Sequence, residues 1–280
     1  MLDFSTRAEL AGHAAVIADI EAACAELGTP CLIVGAFARD LHLFHGHGIE
    51  TQRETGDVDI ALAVSTWLAF NALKDGLIQS GAFTASPRSA HRLLHRGALP
   101  VDLVPFGAIE TPARRIDWPP RGEINMDVFG FREALATSQE LALPGNVRSR
   151  LASLPALALL KLVCWQDRHI DWPGKDAHDL RLIVRNYLQA GNQDRLWSEF
   201  PAWTEDEHFD YELAGARMLG HDMRAVLDEA GIDRVAGILS RQSGADVSGA
   251  LILEMNSHEP EKARALLEAM MHGMLEYQWK

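Results

Sequence analysis

The stretch that most constrains this chain is Thr55-Gly56-Asp57-Val58-Asp59-Ile60-Ala61-Leu62-Ala63-Val64. A turn-prone glycine leads into two alternating aspartates and then into an apolar run. Period-two alternation is the strand signature, so Asp57 and Asp59 point the same way from the start of one strand. Two carboxylates side by side repel each other and raise one another's pKa. A divalent cation makes the pairing favourable, and Mg²⁺ takes oxygen ligands from one or two carboxylates together with substrate phosphates. Taken alone, the Asp-x-Asp pattern fits a pair of solvated acids at a strand end equally well.

Two further stretches bear on the choice. Upstream, Pro30-Cys31-Leu32-Ile33-Val34-Gly35-Ala36-Phe37-Ala38-Arg39-Asp40 reads as a short apolar strand, a Gly-Ala turn and a helix running to about Phe44. Small residues at such a turn let backbone N–H groups approach a phosphate, although an ordinary strand-to-helix turn has the same look. Downstream, Leu99-Pro100-Val101-Asp102-Leu103-Val104-Pro105-Phe106-Gly107 is a strand with one acid in an apolar run. A buried acid is costly unless something compensates it, so Asp102 is the candidate third carboxylate.

Strand, glycine turn and helix, then Asp-x-Asp, then a lone strand aspartate: this order resembles the DNA polymerase beta-like nucleotidyltransferase superfamily and, within it, the AbiEii/AbiGii toxin type. The resemblance covers residues 30–106 and extends to the helical stretch 154–187. There Leu159-Leu160-Lys161-Leu162, Asp167-Arg168 and Lys175-Asp176-Ala177-His178-Asp179-Leu180 are similar to a series that helps to bind the nucleotide in AbiEii-type proteins. The superfamily usually carries Gly-Ser or Gly-Gly where this chain has Gly35-Ala36, and the interval from Gly35 to Asp57 is longer than usual. The resemblance implies an α+β fold, with a mixed β-sheet nucleotidyltransferase domain flanked by helices at 1–150. A mainly helical domain, binding nucleotide or acceptor, follows at 151–280. It implies transfer of a nucleoside monophosphate from an NTP to an acceptor hydroxyl, with Asp57, Asp59 and Asp102 as catalytic residues and ligands of two Mg²⁺ ions. Gly35, Ala36, Arg39, Lys161 and Asp176 become the nucleotide-binding candidates. The implied partners are the nucleoside triphosphate, an acceptor (a tRNA or other RNA 3′ end, a protein or a small molecule) and an antitoxin protein, in the cytoplasm of a prokaryote. Two other readings stay open. One is a catalytically inactive nucleotide- or partner-binding module of the same fold, favoured by the Gly-Ala turn. The other is a phosphoester hydrolase using the same carboxylates.

Composition narrows the partners. The formal net charge of −13 over 280 residues argues against a broadly basic nucleic-acid surface. It leaves room for a local groove, and the densest basic cluster is Arg88, His91, Arg92, His95 and Arg96, on a hairpin leading into the Asp102 strand. That cluster reads either as a solvated face or as a platform for a polynucleotide backbone. A hydrophobic fraction of 48% supplies a real core. Cys24, Cys31 and Cys164 show no metal spacing and read as free thiols in a reducing compartment. His42, His45 and His47 lack a fourth ligand at regular spacing and are not taken as a zinc site. Residues 1–10 carry acids and no apolar core, so they do not read as a signal peptide. The longest apolar run, Leu154 to Trp165, is broken by Lys161 and too short to span a bilayer, so no membrane partner is expected. Hydrophobic periodicity predicts helices at 5–27, 65–80 and 154–168, and at about 205–230, 232–240 and 259–278. It predicts a surface loop at 107–122, short strands at 124–129 and 140–143, and a domain boundary near 148–153.

Overall fold

A computed structural model describes residues 1–51, 55–87, 89–119, 122, 125–205, 207–243 and 249–276. Arg88 of the basic cluster lies outside the described residues, as does Ile124 at the start of an expected strand. The chain forms two compact units, one comprising Met1–Leu41 and Gln52–Ser153, the other His42–Thr51 and Leu154–Lys280.

The first unit holds the ten strands found among the described residues. They are β1 (Leu2–Asp3), β2 (Cys31–Val34), β3 (Val58–Val64), β4 (Phe83–Ala85), β5 (Arg92–His95), β6 (Leu99–Gly107), β7 (Arg115–Asp117), β8 (Asn125–Asp127), β9 (Gln139–Leu143) and β10 (Val147–Leu151). Eight of them form a mixed sheet in the order β1-β9-β10-β2-β3-β6-β5-β4, while β7 and β8 pair separately. The most apolar segments take the centre: every residue of β2 is buried, and so are Val58, Ile60, Ala61, Leu62 and Val64 of β3. β3 runs antiparallel to β2 and parallel to β6, and β5 returns antiparallel along β6. Helices α1 (Ala11–Glu26), α2 (Gly35–Asp40), α3 (Trp67–Gln79) and α4 (Phe131–Ala136) complete the unit. The α+β architecture with a mixed sheet is the one expected.

Several boundaries differ from the sequence expectation, each for a local reason. The first helix starts at Ala11 and not at residue 5, because Asp3 Oδ1 accepts from Ser5 N at 2.9 Å and turns the chain there. α3 starts at Trp67 and not at residue 65, capped by Thr66, whose hydroxyl accepts from Ala69 N at 3.1 Å. The helix after Gly35 keeps α-helical pitch only to Asp40 and continues as a wider turn over Leu41–His45. The expected loop 107–122 contains β7, and the region expected as two strands contains α4 between them. The expected boundary at 148–153 is occupied by β10, whose Leu151 pairs with Ile33 of β2, so the first unit runs on to Ser153.

The second unit is helical: α5 (Leu154–Arg168), α6 (Lys175–Asn186), α7 (Gln193–Glu199), α8 (Tyr211–Val226), α9 (Glu229–Ser243), α10 (Ala250–Met255) and α11 (Pro260–Leu275). α8 and α11 pack backbone against backbone. A Cβ on Gly220 would sit 1.8 Å from the Met270 carbonyl oxygen, and one on Gly273 equally close to that of Arg217. Only glycine permits such an approach. The segment 42–51 belongs to this unit, with the His47 ring lying against Gly191. Among the described residues no helix is long and apolar enough to cross a membrane.

Candidate active site

The site grows out of the start of β3. Thr55 donates its hydroxyl proton to Asp40 at the end of α2, which ties the chain entering β3 to the helix leaving β2. Asp57 lies just before β3 and Asp59 within it. Parallel pairing puts Asp59 directly beside Asp102 of β6, and antiparallel pairing puts Asp102 directly beside Arg92 of β5. Residues in register share a face of the sheet. Arg92 uses that placement fully: its Nε donates to Asp102 Oδ1 at 2.7 Å and its Nη2 to Asp102 Oδ2 at 2.6 Å. Nη2 also donates to Asp57 Oδ2 at 3.0 Å. The charge on Asp59 acts on the same guanidinium. Asp57 and Asp102 therefore meet on one cation, and Asp59 stands in register beside Asp102.

Gly35 is the floor under Asp59. Its φ is +72°, and a Cβ there would lie 1.9 Å from Asp59 Oδ2. The glycine is required both by the left-handed backbone and by the carboxylate pressed against it. Ala36 follows it into α2. Beside the cluster, His91 Nε2 lies 4.0 Å from Asp102 Oδ1, and its ring meets Trp118 edge-on at 5.4 Å. Burial holds the His91 pKa below the ordinary histidine value against the opposing pull of Asp102, so the ring is neutral at pH 7. Arg92 is held as a cation, first by its hydrogen bonds to Asp102.

Oxygen-only donors of this kind suit a hard divalent cation. The spacing, however, is set by a guanidinium, which bridges Asp57 and Asp102. Among the described residues no group of three or more His, Cys, Asp or Glu side chains is closed up around a metal-sized point. The residues thus fit Mg²⁺ in kind, with Arg92 standing where positive charge is needed.

The other sequence candidates make their printed contacts within their own units. Arg39 is 1% exposed, and its Nε and Nη2 donate to Asp40 Oδ1 at 2.9 and 2.6 Å, so its guanidinium is engaged within the fold. Lys161 and Asp176 belong to the second unit. Lys161 Nζ lies 2.6 Å from Asp179 Oδ2 and 3.3 Å from Asp176 Oδ1. Arg168 grips Asp176 with both Nε and Nη2, at 2.8 and 2.9 Å. The Lys, Arg and Asp-x-x-Asp residues read from the sequence as one series thus form one buried ion cluster between α5 and α6. Sequence reasoning missed the part played by Arg92, which it left among the basic residues of a hairpin face. The signal was present: a hairpin that pairs His95 with Leu99 brings Arg92 opposite Asp102.

The sequence profile of a family described as "Nucleotidyl transferase AbiEii toxin, Type IV TA system" matches residues 19–269. The chain belongs to the AbiEii family. The match spans both units, from α1 to α11. Solved structures with some likeness to this AbiEii protein include ANT(2″)-Ia in complex with adenylyl-2″-tobramycin. That one is 18% identical, covers 68% of this chain and 98% of its own, and has a TM-score of 0.40. A solution structure of the antibiotic-resistance factor ANT(2″)-Ia is 16% identical, covering 71% of this chain and 98% of its own, with a TM-score of 0.39. The Thermotoga maritima CCA-adding enzyme complexed with tRNA is 12% identical, covering 96% of this chain and 80% of its own, with a TM-score of 0.25. A search of curated proteins finds no match. The family assignment rests on the profile match, which identifies the chain as a nucleotidyltransferase of a toxin–antitoxin family.

Proposed function

We propose that this protein transfers a nucleoside monophosphate from an NTP to an acceptor hydroxyl, and that Asp57, Asp59 and Asp102 are the acting carboxylates. The observation that supports the reading is that Arg92 joins Asp57 to Asp102 while Asp59 stands in register beside Asp102. Phosphoryl-group transfer asks little of a protein beyond positioning and charge neutralisation. The sheet supplies positioning, because hydrogen-bonded parallel strands hold Asp59 and Asp102 at a fixed separation. Gly35 keeps the backbone low enough for the Asp59 carboxylate to stand beside the turn. Asp57, Asp59 and Asp102 would hold Mg²⁺, which when bound supplies charge neutralisation at the triphosphate and lowers the pKa of the attacking hydroxyl. Lys161 and Asp176 serve in this reading as part of the frame of the helical unit. The acceptor is an RNA 3′ end, a protein or a small molecule, and toxicity follows from modifying it; an antitoxin protein would relieve that toxicity.

The test is incubation of the full-length chain and cell lysate with each α-³²P-labelled NTP, followed by separation of RNA, protein and small molecules. Label should enter one acceptor class in a chain-dependent way and be lost with Asp59→Asn. Folded parent protein that labels none of the three sinks the reading. One observation favours a second reading, a binding module without catalysis: Asp57 and Asp102 already have a counter-ion in Arg92. Tight NTP binding without pyrophosphate release would decide for it.

A further inference from the structure

Asp102 is a carboxylate set in an apolar strand, and its side chain is 13% exposed. Such a group needs a compensating charge at all times, or it destabilises the sheet. Arg92 provides that charge with a two-pronged contact that occupies both oxygens of Asp102. The same guanidinium reaches Asp57 and so straddles two of the three acids. A divalent cation drawn to these acids meets two obstacles: each Asp102 oxygen already accepts from Arg92, and the like charge of that guanidinium sits beside them.

The position of Arg92 offers a way out. Its side chain is 35% exposed, against 2% for Arg39, whose guanidinium is shut inside the fold. β5 lies next to β4, the edge strand of the sheet. The stem is anchored on a strand while the head has solvent to move into. An incoming nucleotide brings phosphate oxygens that match the guanidinium fork as well as a carboxylate does.

We propose that Arg92 is the resident counter-ion of the carboxylate cluster, and that it exchanges Asp57 and Asp102 for the triphosphate when a divalent cation enters. Arg92 is then a positioning residue for the acids in the absence of nucleotide and a ligand of phosphate oxygens in its presence. The proposal rests on the reading of these aspartates as the site of nucleotide chemistry. It gives the cluster an order of loading: cation and triphosphate enter together, because each removes the obstacle to the other.

The experiment uses full-length protein, with free Mn²⁺ followed by electron paramagnetic resonance and inorganic tripolyphosphate as the phosphate probe. Parent protein should bind Mn²⁺ weakly alone and about tenfold more tightly with tripolyphosphate present. Arg92→Gln should bind Mn²⁺ alone about tenfold more tightly than the parent, and its Mn²⁺-loaded form should bind tripolyphosphate about tenfold less tightly. Arg92→Lys, which keeps the charge but loses the fork, should fall between. Unchanged or weaker Mn²⁺ binding by Arg92→Gln overturns the proposal, and so does unchanged tripolyphosphate binding. Should Arg92→Gln lose its near-ultraviolet circular dichroism, Arg92→Lys decides: Mn²⁺ affinity above the parent's supports the exchange, and equal affinity overturns it. Label transfer by the parent is scored separately. Transfer with unchanged Mn²⁺ affinity in Arg92→Gln sinks the exchange and leaves nucleotidyl transfer standing. Tighter Mn²⁺ binding without any transfer does the reverse.

Discussion

At residue 35 a single methyl group would have to share space with a carboxylate. The Cβ of an alanine there would lie 1.9 Å from Asp59 Oδ2 and would stand on a backbone with φ of +72°. Left-handed backbone and steric conflict act together, so Gly35→Ala should lose about 1–3 kcal/mol of stability in urea unfolding. Asp59→Gly in the same chain should restore part of that loss, since the nearest clashing atoms are gone. Equal stability of Gly35→Ala and parent would show that the turn has room. Asp59→Asn asks the complementary question. It keeps the shape and removes one of several mutually repelling acids, so melting temperature should hold or rise slightly. Label transfer should fall about 100-fold or more, as when a preorganised charge is removed from a site. A large drop in melting temperature with activity lost in proportion would make Asp59 structural. The two β3-end aspartates were legible because period-two spacing is a property of neighbouring residues. The conflict between Gly35 and Asp59 was not, because it joins residues on different strands and depends on one backbone dihedral.

Elements legible in the sequence were those whose signal is local and repeated. β3, β6, the hairpin of β5 and β6, and α5 all announce themselves by apolar runs or a turn glycine. β1 has two residues, and β10 reads Val-Arg-Ser-Arg-Leu between a Pro-Gly turn and a helix, so neither carries a run long enough to separate strand from linker. The partner of Lys161 was also hidden. Alone in an apolar helix it reads as a nucleotide-binding candidate, and its charge is met within its own unit by Asp179 and Asp176. Burial opposes the charge on Lys161, but Asp179 and Asp176 outweigh it and hold the pKa above the usual lysine value. Burial likewise opposes ionisation of Asp176, but Arg168 and Lys161 outweigh it and hold the carboxyl below its usual value. The signs follow by linkage. The Lys161 contribution is full below the unfolded lysine pKa and is lost as pH rises through the raised folded value. The Asp176 contribution is present above the unfolded aspartate pKa and is lost as pH falls through the depressed folded one. Lys161→Met removes the cation 2.6 Å from Asp179 and leaves two aspartates facing each other in a buried site. It should destabilise the protein by about 3–5 kcal/mol at pH 7, the cost of breaking a buried pair from one side. With its cation gone, a buried carboxyl is expected to favour the neutral form, so stability should increase as pH falls from 7 to 5. Urea unfolding at the two pH values, read by tryptophan fluorescence, checks this. A variant whose stability does not rise over that range would mean that the carboxylates keep sufficient compensation without Lys161.

Across the whole molecule the chain passes between its units three times, after Leu41, after Thr51 and after Ser153. A division into consecutive domains at residue 150 misses this excursion, because ten residues between two elements of one unit read as an ordinary connecting loop. The hydrogen bond from Thr55 to Asp40 ties together the two ends that bracket the excursion. Within it, Leu43 is 0% exposed and His42 is 6% exposed, while His47 lies against Gly191 of the helical unit. A fragment of residues 1–153 would retain the sheet but leave segment 42–51 without the unit it packs into. Exposed apolar side chains in a small domain drive association. The fragment should therefore bind 1-anilinonaphthalene-8-sulfonate strongly and elute as aggregate, whereas the full chain should not. Replacing residues 42–51 of the same fragment by a short Gly-Ser linker should yield a monomer that no longer binds the dye, because the Thr55–Asp40 bond already holds the ends of the gap near each other. A native fragment 1–153 that is monomeric and silent to the dye would mean that the excursion folds back on the first unit and that the sheet unit is independent as it stands. The predicted failure, with rescue by the linker, would instead mean that any truncation meant to isolate the carboxylate site has to remove residues 42–51 together with the helices they accompany.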